Sequence, residues 1–186
     1  MDPISNKKEF EDLTANLRDL AYSYIEKYNP SKQQIKTYLL KKYLKKFQGT
    51  KVKKEITEII DKIVLNLEKN KLLNDSLYSD SKARSLFRRG YSLNKITHSL
   101  RSKGIEQNNI KMSIEKIKKE KSDPDFTSAM KICKKKRIGP MRPESNRELF
   151  YKKDMGILAR SGFNYEISKK ILSMSTKEFN QLIKLI

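Results

Sequence analysis

The sequence predicts an all-α chain of three tandem three-helix repeats, forming an elongated, curved helical array of the right-handed type. Three observations carry that expectation. Apolar residues recur at spacings of three and four along the chain, and no run sustains the alternation of a strand. Gly and Pro together number eleven in 186 residues, too few turn-makers for a sandwich or a barrel. Hydrophobic residues make up 37 %, thin for one large core but suited to small units that each bury one face.

Each helix has its own pattern. Leu13, Leu17, Leu20, Tyr24 and Tyr28 stripe the first, which Asn29-Pro30-Ser31 breaks. Ser31 is an N-cap for the second, striped by Ile35, Tyr38, Leu39, Tyr43 and Phe47 and ended at Gly49. Val52, Ile56, Ile59, Ile60, Ile63 and Leu67 give the third. Asn74-Asp75 caps a fourth that runs to Arg89-Gly90, and Ser92 caps a fifth with Ile96 and Leu100, closed by Lys103-Gly104. Ile110, Ile114 and Ile117 mark the sixth. Ser122-Asp123-Pro124 opens the seventh, whose apolar face is Phe126, Ala129, Met130 and Cys133. Residues 137–143, with two prolines and a glycine, read as a loop. An eighth helix is expected from about Ser145-Asn146 to Ser161-Gly162. Shorter elements then carry Ile167, Ile171 and Leu172, and Phe179, Leu182, Ile183 and Ile186.

The pattern repeats. Ser31-x3-Ile35-x3-Leu39 returns as Ser92-x3-Ile96-x3-Leu100, and Gly104-Ile105 returns loosely as Gly162-Phe163. The expected divisions are 1–72, an N-terminal repeat with a basic second helix; 73–121, a central repeat; and 122–186, a C-terminal repeat with the basic Pro/Gly loop at 137–143 and a helical tail.

The net charge is +20, and its distribution is uneven. Residues 31–54 hold nine Lys, residues 81–105 hold seven cations and residues 130–143 hold six, all without an acid. The remainder of the chain is nearly neutral. A folded chain with so much like charge usually meets a polyanion, and three acid-free windows point to a contact surface rather than to solvation alone. The start of the chain lacks the order of a signal peptide, and no apolar run approaches the ~20 residues of a membrane span. A cytoplasmic protein without membrane contact is expected.

Catalytic patterns are missing. There is no phosphate-binding glycine loop, no Gly-x-Ser-x-Gly elbow, and no residue set for a metal or cofactor. Single Cys133 excludes an intramolecular disulfide and a cysteine zinc cluster. His98 lies between Ile96 and Leu100 on a helix, where packing or solvation is the ordinary role. Asp123 and Asp125 read as a helix cap and dipole complement. The chain is expected not to be an enzyme.

One stretch is more specific. Residues Asp75, Tyr78-Ser79, Ala83-Arg84-Ser85-Leu86, Arg88-Arg89-Gly90, Ser92, Ile96, Leu100 and Lys103-Gly104-Ile105, in that spacing, resemble the central repeat of the RecX family. The order Lys135-Lys136-Arg137-Ile138-Gly139-Pro140, Arg142-Pro143, then Leu158-Ala159-Arg160-Ser161-Gly162-Phe163, is similar to its third repeat. The resemblance covers roughly residues 15–173 and is weakest in the first repeat. It implies a bacterial regulator in DNA repair, recombination and the SOS response. Such a monomer binds the RecA recombinase filament on single-stranded DNA, limits its extension, and inhibits ATPase and strand exchange without a cofactor. Direct DNA contact stays open. Lys where relatives often carry Arg, above all in 31–54, puts bidentate pairing there in doubt.

The expected filament or DNA contacts are Lys82, Arg84, Arg88, Arg89, Lys95, Arg101 and Lys103 in the centre; Lys135, Lys136, Arg137, Arg142 and Arg160 beyond it; and Lys41, Lys42, Lys45 and Lys46 in the first window. A free-standing basic nucleic-acid binder explains the charge equally well but not the ordered repeats. Tyr24, Tyr38, Tyr43 and Phe47 are expected in the core rather than as base-stacking groups.

Overall fold

The computed structural model describes residues 7–46 and 53–185, with the side chains of 11–45 and 55–185. Phe47, Gly49, Lys51, Val52 and Ile186 lie outside it, as do the side chains of Lys46, Lys53 and Lys54. Among the described residues every regular element is helical. They are α1 (Lys7–Tyr28), α2 (Lys32–Lys46), α3 (Lys53–Lys69), α4 (Asp75–Arg88), α5 (Leu93–Arg101), α6 (Gln107–Glu120) and α7 (Pro124–Lys136). A 3-10 turn at Gly139–Met141 follows, then α8 (Glu144–Arg160), α9 (Tyr165–Leu172) and α10 (Thr176–Leu182). The proline loop is thus partly ordered as a turn, and α8 starts at Glu144, just after Pro143, earlier than expected.

Contacts gather the chain into two units. One runs up to Tyr78 and includes Lys103–Glu106; the other comprises Ser79–Ser102 and Gln107–Ile186.

In the first unit, α2 packs on α1 and α3. The stripes read from the sequence supply its core: Leu17, Ile35, Leu39, Tyr43, Ile56, Ile60, Ile63 and Leu67 are all buried. Tyr24 and Tyr38 are only half-buried at its margin, so the core assignment holds for Tyr43 and partly for these two. The N-terminus of α2 is closed by a reciprocal box: Ser31 Oγ accepts from Gln34 N–H (3.3 Å) and Gln34 Oε1 accepts from Ser31 N–H (3.1 Å). Acids on α3 neutralise the start of α2, through Lys32–Glu68 (2.9 Å) and Lys36–Asp61 (2.6 Å).

In the second unit, α7, α8 and α9 bury Met130, Cys133, Ile138, Leu158, Phe163, Ile171 and Phe179. Between α4 and α6, Ser79 Oγ and Ser113 Oγ lie 2.8 Å apart, Ser113 Oγ donates to Asp80 Oδ1 (2.6 Å), and Lys116 pairs with Asp80. Burial pushes the Asp80 carboxyl up, but the bonds from Lys116 and Ser113 outweigh it and hold the group below its ordinary value.

The same lock occurs once in each unit. In the first, Asp75 Oδ1 accepts from Lys32 N–H (2.9 Å), and Ser31 Oγ donates to Lys103 O (2.8 Å). In the second, Asp125 Oδ1 accepts from Leu93 N–H (2.7 Å), and Ser92 N–H donates to Ser161 O (3.2 Å). An aspartate at the start of a later helix thus ties down the helix start that a serine caps. The serine in turn meets the carbonyl just before a left-handed glycine, Gly104 (φ +73°) or Gly162 (φ +92°). This is the physical content of the repeated serine and glycine spacings.

Burial is the main force on both carboxyls and raises Asp75 and Asp125 above their ordinary value. As pH rises from the unfolded value to the raised folded one, the unfolded chain ionises first, so stability falls across that interval. Asp125→Asn keeps the acceptor oxygen and removes the half-buried charge. At pH 7 it should unfold at the same urea concentration as the parent or higher, whereas Asp125→Ala should lose about 1–2 kcal/mol. Equal losses in both variants would show that the charge itself is needed.

Candidate polyanion interface

Cations placed on a helix fall into three fates: neutralised by an acid, spent on the backbone, or left facing solvent. The first window divides cleanly. Lys32 and Lys36 are matched by α3, while Lys41, Lys42 and Lys45 near the end of α2 are exposed and make no ion pair among the described residues. Lys46 has its side chain outside the described residues.

In the second window, Arg84 makes a two-pronged pair with Glu120, Nη1 to Oε2 at 2.9 Å and Nη2 to Oε1 at 2.7 Å. Arg101 donates to Gln107 Oε1 (3.3 Å). Lys82 and Lys103 are half-buried, and Lys103 belongs to the first unit, where its carbonyl holds Ser31. Arg88, Arg89 and Lys95 are exposed without an ion pair among the described residues, Arg89 lying over the Tyr91 ring at 5.4 Å.

The third window is the densest. α7 ends in Lys134, Lys135 and Lys136, where the partial negative charge of a helix C-terminus favours cations, and Arg137 follows in left-handed conformation (φ 51°). All four are exposed. Lys131, one turn earlier, lies over the Phe87 ring at 5.5 Å, and Gly90 sits close against Ile132 and the Ser128 carbonyl. The end of α4 therefore meets α7 through Phe87 and Gly90, with Lys131 and Ile132 on the other side. Parts of two windows far apart in sequence thus come together in the second unit. Arg160 is exposed at the end of α8, beside the α5 start that bears Lys95.

Arg142, on the proline loop, is paired within its own unit. Its guanidinium is committed to Asp154, Nε to Oδ2 at 2.7 Å and Nη2 to Oδ1 at 2.8 Å, and lies over the Phe150 ring at 4.4 Å. It buckles the proline loop to α8. Arg147, which the sequence reading passed over, clamps the same loop by donating to Pro140 O (2.9 Å) and Met174 O (3.3 Å).

Cys133 is fully buried, and burial pushes its thiol up to about 12; it is a packing group, not a nucleophile. His98 is exposed on α5. Among the described residues no group of His, Cys, Asp or Glu is placed to hold a metal ion, and no helix is long and apolar enough to cross a membrane.

Residues 74–113 match the second three-helix domain of RecX. Over 159 residues the chain is 33 % identical to the regulatory protein RecX of Myxococcus xanthus, a match spanning 84 % of this chain and 83 % of that protein. The chain belongs to the RecX family. A RecX of Agrobacterium fabrum is 26 % identical over 113 residues, 61 % of this chain and 58 % of its own length. Two RecX crystal structures share the fold. A regulatory protein RecX superimposes with TM-score 0.59 at 21 % identity, covering 88 % of this chain and 73 % of its own. RecX from Lactobacillus salivarius gives 0.59 at 17 % identity, covering 95 % and 99 %. The all-α helical-repeat expectation and the RecX resemblance are both met, and the chain is a regulator of the RecX type.

Proposed function

We propose that this chain is a negative regulator of RecA that docks on the RecA–single-stranded DNA filament, limits its extension and inhibits its ATPase and strand exchange. RecX-family membership supports the class of function. The observation that carries the mechanism is the packing of the end of α4, at Phe87 and Gly90, against α7 at Lys131 and Ile132; next in sequence to these contacts stand Arg88, Arg89 and Lys134 to Arg137, all exposed and without an ion pair among the described residues.

A recombinase filament repeats charged protein surface around a phosphate-rich strand. Several cationic segments on one chain engage it with an avidity greater than any one supplies. Contact across successive protomers opposes addition at the growing end and the protomer motions that accompany ATP turnover. Lys135, Lys136 and Arg137 act in this reading with Arg88 and Arg89; Arg142 acts indirectly, by holding the loop they border.

The test is RecA ATPase on single-stranded DNA with the chain titrated below stoichiometry. The parent chain should lower the rate. Arg88→Glu with Arg89→Glu should abolish the effect while the helical circular dichroism stays unchanged, since both side chains are exposed. Inhibition that survives the double substitution would remove those residues from the contact, and a parent chain without effect would refute the function. Comparing affinity for coated and bare strand across salt concentrations separates this reading from a free-standing nucleic-acid binder.

A further inference from the structure

The first unit carries a feature that the filament reading does not use. Tyr24 of α1 and Tyr38 of α2 are stacked, with ring centroids 4.1 Å apart and planes 12° from parallel. Tyr28, one turn beyond Tyr24, adds a third ring at 4.9 Å, tilted by 47° from that of Tyr24. It is 57 % exposed, whereas Tyr43 in the neighbouring core is 7 % exposed. Aromatic rings that serve only a core are normally sealed into it; this ladder begins at the core margin and ends in water.

Cations edge it. Lys27 Nζ is 5.3 Å from the Tyr28 centroid and Lys42 Nζ is 5.6 Å from that of Tyr38. Lys41 and Lys45 follow on the same half of α2, the half that α3 leaves unneutralised. Helix α2 contains no acid. The acid nearest in sequence, Glu26, is two residues from both Tyr24 and Tyr28, which puts it on the opposite side of α1. Exposed π-surface with cations that make no ion pair among the described residues, Lys27 and Lys42 at the rings and Lys41 and Lys45 further along α2, is the chemistry that takes a nucleobase and its phosphates together. An acidic peptide would use the cations and leave the rings idle.

We infer that the tyrosine ladder of α1 and α2 is a base-stacking site for single-stranded nucleic acid, with Tyr28 the ring on which a base stacks and Lys41, Lys42 and Lys45 the phosphate contacts. The site needs no RecA. It is therefore tested without RecA, and its failure leaves the regulator reading untouched.

The test uses the whole chain with two fluorescein-labelled oligomers of equal phosphate number, oligothymidylate and an abasic strand. The parent should bind oligothymidylate about tenfold more tightly than the abasic strand. Because the chain has no Trp, tyrosine emission reports stacking directly and should be quenched by oligothymidylate alone. Tyr28→Ala and Tyr28→Leu, the second preserving apolar bulk should the first unfold, should each erase the preference while abasic affinity and salt dependence persist. Tyr28→Phe should keep it. Lys41→Gln with Lys42→Gln should instead lower the slope of log affinity against log salt by about 1.4 and spare the preference. Equal affinity for the two strands, a preference that survives in Tyr28→Leu, or polyglutamate binding as tightly as oligothymidylate would overturn the site.

Discussion

Asp154→Ala should lower the unfolding free energy by about 3–5 kcal/mol, read as a fall in urea midpoint at unchanged slope. The carboxylate is 1 % exposed, and three donors converge on it: Arg142 Nε and Nη2, and the Gly139 N–H at 2.8 Å. Truncation leaves the Gly139 N–H buried without a partner and Arg142 without its counter-charge. Because Arg142 keeps 20 % of its side chain in solvent, water recovers part of that loss, and the lower half of the range is expected. Replacing both charges together, with Asp154→Leu and Arg142→Met, should cost less than Asp154→Ala alone, since no charge is then stranded. A loss below 1 kcal/mol for Asp154→Ala would mean that the proline loop is held by Arg147 and packing alone.

The second large effect falls on Gly162→Ala. With φ at +92°, a Cβ there would lie 2.3 Å from Ser92 Oγ, 2.7 Å from Lys95 Cβ and 3.1 Å from Lys95 N. The last two belong to the helix start and its backbone, which cannot swing aside as a long side-chain tip can. Left-handed strain of about 1–2 kcal/mol adds to overpacking of about 1–3 kcal/mol, so a total near 3 kcal/mol is expected. Gly156 supplies the internal control. It lies within α8, and a Cβ there would meet only Arg160 Nη1 at 3.4 Å. Gly156→Ala should therefore stabilise by about 0.5–1 kcal/mol. If both alanines cost alike, the close approach at Ser92 is not what excludes a side chain from position 162.

These residues also mark how far the sequence could be read. Periodicity located the helices because burial of one face is written locally, and Ser31, Ser92 and Asp123 were legible as caps because a cap bonds within its own first turn. Asp125 looked like a dipole complement, and its actual partner, the Leu93 N–H, lies 32 residues upstream. No local pattern encodes that distance. The same limit hid Asp154 under Arg142, Glu120 against Arg84, and the α3 acids that neutralise half of α2. Counting acids per window showed where positive charge was concentrated; which cations stayed free depended on helices folding back with acids from outside the windows. Tyr28 was assigned to a stripe correctly, yet a stripe does not say where its end emerges into solvent.

The lock at Ser92 has a consequence for how the protein is made. Helix α5 is nine residues long, shorter than a helix that stands alone in water. Ser92 Oγ closes the Lys95 amide by itself, but Asp125 and the Ser161 carbonyl accept from the preceding Leu93 and Ser92 amides. On the ribosome, α5 emerges well before either. The nascent chain therefore holds an unfinished helix in its middle until α7 and then the end of α8 have been synthesised, and a message cut short before α7 yields a product whose central helix start is held by Ser92 alone.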